Sequence, residues 1–297
     1  MNLAPATRNG LAAALTAYVC WGLLPLYFYV LGDVPSLELV GWRVVFTMPV
    51  CLAIICARKQ AGELRAAFAN PRLLAQLLLS ALLIGSNWLI FLLAINNGQA
   101  LATSLGYYIN PLMNVLLGTL LLGERLSRVQ WAAVALAGAG IALLLAGAVE
   151  TLVVALSLAC SFTAYGFVRK HTQVSAVPGL TIETTLLLVP AVIIVILAAN
   201  SAQGTSMAIG GYTSALIMGT GISTAIPLML FAVAARALPL STLGFVQFLS
   251  PTISFVLGLT VFGETLDTTR LACFGLIWAA IALYSWDMLR RSGQTPA

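Results

Sequence analysis

Ten apolar runs follow one another along the chain, at roughly 11–31, 36–57, 73–94, 100–122, 129–147, 150–169, 179–199, 211–235, 239–262 and 270–289. About 20 consecutive apolar residues carry an α-helix across the hydrocarbon core of a bilayer. A membrane β-strand would instead alternate apolar and polar positions in stretches of about ten. These runs are longer and nearly continuous, so they predict an all-α polytopic membrane protein with ten transmembrane helices.

The pattern inside the runs is written twice. Residues 101–126 read LATSLGYYINPLMNVLLGTLLLGERL and residues 241–266 read STLGFVQFLSPTISFVLGLTVFGETL. Pro111, Gly118, Gly123 and Glu124 match Pro251, Gly258, Gly263 and Glu264, each pair 140 residues apart. A duplicated unit in a membrane chain is a common mark of a transporter. The predicted division is a first five-helix repeat over 1–148 and a second over 149–297. Five is odd, so the second repeat enters the membrane inverted relative to the first.

Composition sets the solvent. The 297 residues are 61% hydrophobic and 8% charged, against about 25% charged in soluble domains. Such a chain cannot cover a globule with polar surface, so membrane lipid is its expected surrounding. The net charge of +5 does not point to nucleic acid, because the bases sit in short loops between apolar runs. Arg8, Arg58, Lys59, Arg65, Arg72, Arg125, Arg128, Arg169, Lys170, Arg236, Arg290 and Arg291 fall on one side of the predicted topology. Arg270 alone falls on the other, and Arg43 lies within a run. The bias of bases toward the cytoplasm predicts that both termini are cytoplasmic. The five cysteines have no metal-like spacing and read as small buried hydrophobes. No metal or cofactor is expected. No cleavable signal is read either, since the first run is of spanning length and no A-x-A-like site follows it.

Four segments carry a resemblance: WGLLPLYFYVL, LIGSNWLIFLLAINNG, SLGYYINPLMNVLLGTLLLGERL, and LPLSTLGFVQFLSPTISFVLG with its FGE ending. Together they resemble the EamA-type drug/metabolite transporter (DMT) superfamily and, within it, the RarD branch of permeases. The likeness extends over nearly the whole chain. It implies ten helices as an inverted 5+5 repeat, a central cavity, alternating access, and residence in the bacterial inner (cytoplasmic) membrane.

Candidate substrate contacts come from polar stripes. Ser104, Tyr107, Asn110, Asn114 and Gly118 recur at steps of three, three, four and four, which is one face of a helix. Gly244, Gln247, Ser250, Ser254 and Gly258 repeat the stripe in the ninth run. In lipid such a stripe faces either protein or a water-filled cavity. The glycines read as close helix packing. Tyr107, Asn110, Asn114, Gln247, Ser250 and Ser254 read as cavity lining. Pro111 and Pro251 each free a backbone carbonyl near mid-membrane. The third run adds Asn87 and Trp88, the first adds Trp21 on a face with Tyr18 and Pro25, and the sixth adds Tyr165 on a face with Ser157 and Ser161. Aromatic rings with a polar handle suit a flat or amphipathic organic molecule.

Two ionisable groups lie within the runs, Arg43 and Glu183, and they too are 140 residues apart. Each costs at least about 2.5–3.5 kcal/mol to insert, so a functional or coupling role is the first reading. Helical rise places them roughly 10 Å and 7 Å from opposite ends of their helices. A direct pair between them is therefore not expected. A carboxylate that alternates between two faces suits proton coupling; one compensated by a nearby donor organises structure or holds a cationic substrate.

The predicted function is a secondary-active transporter moving a small organic metabolite or drug by alternating access. The alternatives are a gradient-driven facilitator or exchanger without ion coupling, and a membrane-embedded enzyme. No Walker A sequence occurs, so no direct drive by ATP and no ATPase subunit is expected. An enzyme would need a paired carboxylate, a metal cluster or a nucleophile–base pair. Glu183 stands alone, and the only histidine, His171, is at a run's edge. Assembly as a monomer or homodimer is expected.

Overall fold

A computed structural model describes residues 5–32, 34–97, 99–145, 152–202, 204–263 and 268–292. Twelve α-helices cover most of them: α1 Pro5–Val30, α2 Ser36–Ala57, α3 Ala61–Ala69, α4 Pro71–Asn96, α5 Ala100–Leu121, α6 Arg128–Leu145, α7 Leu152–His171, α8 Ala176–Ala199, α9 Gly211–Ala237, α10 Leu240–Gln247, α11 Leu249–Thr260 and α12 Thr268–Ser292. No strand occurs among the described residues. Nine helical segments there, with α10 and α11 taken as one, are long and apolar enough to cross a membrane. The 22-residue α5 is not among the nine; its Tyr107, Tyr108, Asn110 and Asn114 dilute its apolar character. Including it, all ten predicted runs are helical.

Local sequence explains several boundaries. Asn70 Oδ1 accepts hydrogen bonds from the amides of Arg72 (3.1 Å) and Leu73 (3.2 Å), capping α4 just before Pro71. Ser127 and Gln130 form a reciprocal capping box at the start of α6 (3.0 and 2.9 Å). At the end of α5, Gly123 takes φ +65° while the Glu124 amide bonds back to the Gly118 carbonyl at 3.0 Å. That is the αL glycine stop, which a side chain at 123 would strain.

Two features were not expected. The loop after α2 contains the nine-residue helix α3. The ninth run is interrupted at Phe248, which separates α10 from α11. Pro251 supplies the reason, because it has no N–H to return to the Gln247 carbonyl one turn earlier. The matching Pro111 sits inside an unbroken α5.

The surface is apolar where the interior is polar. Leu79, Leu82, Leu89 and Leu93 of α4 and Ile193, Ile196 and Leu197 of α8 are exposed, while Asn87, Asn110, Asn114, Thr224 and Gln247 are buried. Only a lipid surrounding makes that distribution favourable. α6 packs on α12, α2 on α8 and α9, α1 on α9 and α11, and α5 on α7 and α10. One end of the bundle is stitched shut. There Glu124 accepts from the amides of Leu240 (2.7 Å) and Ser241 (2.9 Å) and from Ser241 Oγ (2.6 Å). Glu63 accepts from the Ser175 amide (2.7 Å), Lys170 donates to the Leu238 carbonyl and Arg236 to the Val174 carbonyl. An apolar seal that includes Ala13, Ala14, Ile55, Leu180, Ala235 and Leu240 is continuous with these contacts, because Leu240 belongs to both and Lys170 also donates to the Ala235 carbonyl.

Candidate functional site: a central aromatic cavity

Above the seal, α1, α2, α4, α5, α9, α10 and α11 surround a cavity of about 590 Å3, with Phe162 of α7 completing the wall. Tyr18, Ile84, Leu228 and Gln247 line its deep part, and it reaches Leu31, Gly32 and Val34 at the α1–α2 connection. The end opposite the charged stitches is therefore the end the cavity approaches. No described residue of α6, α8 or α12 takes part.

Nine of the twelve singled-out residues line this space: Trp21, Arg43, Asn87, Trp88, Tyr107, Asn110, Gln247, Ser250 and Ser254. Several also bond between helices. Asn87 Nδ2 donates to the Leu158 carbonyl and to Ser161 Oγ, both at 2.9 Å. Asn110 Oδ1 accepts from Thr163 Oγ1 at 2.6 Å. The amides thus fix α4 and α5 to α7, while their residues still border the cavity. Packing and lining, opposed in the sequence, are combined in these side chains.

The other three residues lie behind the wall. Asn114 is 1% exposed and donates from Nδ2 to Gln247 Oε1 at 2.7 Å. Tyr18 reaches the same oxygen at 3.5 Å, so Gln247 is held from two sides. Tyr165 stacks on Phe231 at 5.7 Å and 15°, one layer behind Trp21 and Phe162, and it borders the Glu183 carboxylate. Glu183 is fully enclosed. It pairs with Arg169 at 3.5 Å and accepts a hydrogen bond from Ser80. A pocket of about 10 Å3, close to the space one water needs, adjoins Glu183 and shares Ile84, Trp88, Thr224 and Leu228 with the cavity wall.

Arg43 and Glu183 do not pair. Arg43 Nε donates to Thr224 Oγ1 at 3.0 Å, and its guanidinium lies 5.3 Å from the ring centres of both Phe28 and Trp88. This makes α2 a wall of the cavity, which the sequence did not foretell. Phe28 was also missed, although it continues the 18, 21, 25 spacing of its helix face by another three residues. Thr224 gave no signal beyond a hydroxyl in an apolar run.

Residues 8–146 match the model of the EamA-like transporter family. An uncharacterised transporter of Pseudomonas aeruginosa is 42% identical over 289 residues, covering 97% of each chain. The chain belongs to the EamA-like transporter family. Within it the chain is RarD-like: the protein RarD of Escherichia coli is 39% identical over 97% of this chain and 98% of its own. A chloramphenicol-sensitive protein RarD of P. aeruginosa is 32% identical over 95% of each. A solved crystal structure with 18% identity superimposes on 93% of this chain and 97% of its own with a TM-score of 0.72, which supports the fold alone. The protein is thus a multi-pass membrane transporter, and its small-molecule route is sought in the cavity.

Proposed function

We propose that this permease moves a small organic metabolite or drug across the bacterial inner membrane by alternating access, with the substrate held in the central cavity. The carrying observation is the cavity itself: about 590 Å3 of aromatic and amide-lined space that reaches one end of the bundle and is sealed from the other. The volume is in the range of drug-sized sites. Because the sealed end carries most of the loop bases, positive-inside bias makes it cytoplasmic, and the state described here faces outward. Both termini are then cytoplasmic.

The inverted 5+5 organisation is part of this reading. It is supported by the 140-residue offset and by the helix pairs α2–α8, α5–α10 and α6–α12, each of which joins a helix of 1–148 to its counterpart in 149–297. Gly123 and Gly263, equivalent at that offset, adopt φ +65° and +67°.

One observation favours the uncoupled alternative for energy supply. Glu183 lies 3.5 Å from Arg169 and accepts from Ser80, a pairing that suits a structural carboxylate, although its Oε2 has no hydrogen-bond partner among the described residues. Flux into proteoliposomes, screened over amino acids, nucleoside-like metabolites and amphenicols, tests the transport reading. Reporter fusions after residues 98 and 204 should lie outside, and fusions after 64 and 297 in the cytoplasm. An outside C-terminus would overturn both the orientation and the inverted repeat.

A further inference from the structure

Arg43 is the only charged residue among the described residues that line the cavity. Its surroundings fix its position without neutralising it. Nε is spent on Thr224 Oγ1, and the guanidinium carbon lies 5.3 Å from the ring centres of Phe28 and Trp88. No carboxylate pairs with it among the described residues; Glu183 is paired with Arg169 behind the wall that the cavity shares with the small pocket. Nε is the one Arg43 nitrogen with a protein acceptor among the described residues, and the half-buried side chain lines the cavity. The two Nη groups therefore remain available to the cavity.

A guanidinium presents its donors as a planar fork that matches the two oxygens of a carboxylate. Contact with two rings offsets only part of the cost of removing a charge from water. An anion arriving in the cavity supplies what the protein withholds. With a single positive charge on the described wall, one negative charge balances the site. Trp21, Phe91 and Phe162 provide flat apolar surface around the same space.

We propose that the substrate is an organic monoanion, a carboxylate on an aromatic or otherwise apolar body, with Arg43 as its anion receptor. This rests on the transporter reading above and names the chemical class of its cargo.

The test is binding to the purified full-length protein in nanodiscs, measured by calorimetry for every probe and, for the phenyl probes, also by the change in total tryptophan fluorescence, to which Trp21 and Trp88 contribute. The probes are matched sets: 3-phenylpropionate and indole-3-acetate, their neutral amides, and phenethylammonium. Charge-assisted hydrogen bonds predict that each carboxylate binds at least about tenfold more tightly than its amide. Phenethylammonium should bind more weakly than either. Arg43→Gln should bring carboxylate and amide to equal affinity, and Arg43→Lys should retain part of the difference. Equal binding of carboxylate and amide by the unmodified protein, tightest binding of the ammonium probe, or no binding of either carboxylate overturns the proposal without any variant. Flux assays separate the two readings. Transport confined to neutral or cationic solutes removes the anion site and leaves the transporter; no transport of any solute removes the transporter reading itself.

Discussion

Glu124 is placed to hold the sealed end of the bundle shut, the end that the proposed orientation makes cytoplasmic, and its removal should release that end. Pro239, the residue before α10, provides no side-chain cap. The carboxylate of Glu124, reaching from the α5–α6 loop, supplies one by accepting from the Leu240 and Ser241 amides and from Ser241 Oγ. A capping group contributes about 0.5–2 kcal/mol and a hydrogen bond to a charged group about 1.5–3 kcal/mol where water is excluded. The site is only partly buried, so the low end applies, and the clamp is worth roughly 3 kcal/mol in total. Under the proposed alternating access, at 1.4 kcal/mol per tenfold, Glu124→Ala should shift the balance between outward- and inward-facing states by about 100-fold. Glu124→Gln keeps one acceptor oxygen and should shift it by about the square root of that factor. The assay uses a single cysteine at Ser250 on the cavity wall, in a background where the five native cysteines are replaced. A membrane-impermeant maleimide should label it from outside in the parent and more slowly in Glu124→Ala, with labelling from the cytoplasmic side rising in step. Equal labelling of parent and variant from both sides, in a variant that folds normally, would refute the clamp.

Further outcomes follow from the packing. A Cβ at Gly244 would lie 2.5 Å from the Pro111 carbonyl oxygen, so Gly244→Ala must push α10 off α5 at a cost of about 1–3 kcal/mol. Its melting temperature should fall, whereas Gly275→Ala, which meets nothing within 4 Å, should hold or raise it. Asn114→Leu removes the donor that holds Gln247 Oε1, so thermal stability should drop by about 1–3 kcal/mol and substrate affinity should fall with it; unchanged stability would return Asn114 to a lining role. Glu183→Gln leaves Arg169 buried without its counter-charge, at about 3–5 kcal/mol, and should lower yield in the membrane. A well-folded Glu183→Gln protein that exchanges substrate at equal pH but no longer accumulates it under an imposed pH gradient would instead restore the proton-coupling reading.

The ten helices were legible because a bilayer imposes a minimum apolar length that few other constraints imitate. α3 was not, because nine residues containing Glu63 and Arg65 carry no such length signal. The interruption at Phe248 was half-visible: Pro251 announces a lost hydrogen bond, yet Pro111 announces the same and α5 continues through it. Among the site residues, the stripes on α5 and on α10 with α11 were readable because lipid drives polar groups inward. Pairings were not. Arg169 was counted as a loop base, since charge counting ignores where a long side chain turns. Its partner Glu183 is only 14 residues away, but across a connection whose geometry the sequence does not specify. Arg43 and Thr224 are 181 residues apart, and no local pattern links them.

The most informative difference in the molecule is between two residues 140 positions apart, at equivalent places in the proposed repeat. Arg43 faces the cavity, and Glu183 is enclosed behind it. Their helices, α2 and α8, pack directly against each other. Ile84, Trp88, Thr224 and Leu228 border both the cavity and the water-sized pocket beside Glu183, so these four side chains form the partition between the two sites. Two of them also touch Arg43, Trp88 through its ring and Thr224 through its hydroxyl. A ligand that reorients the Arg43 guanidinium therefore acts first on the partition. If the proposed alternating access packs the wall over Arg43, the four shared side chains must move relative to Glu183 as well. A thiol placed at Thr184, buried and lining only the small pocket in this state, should accordingly become reactive in the Glu124→Ala protein and stay protected in its parent.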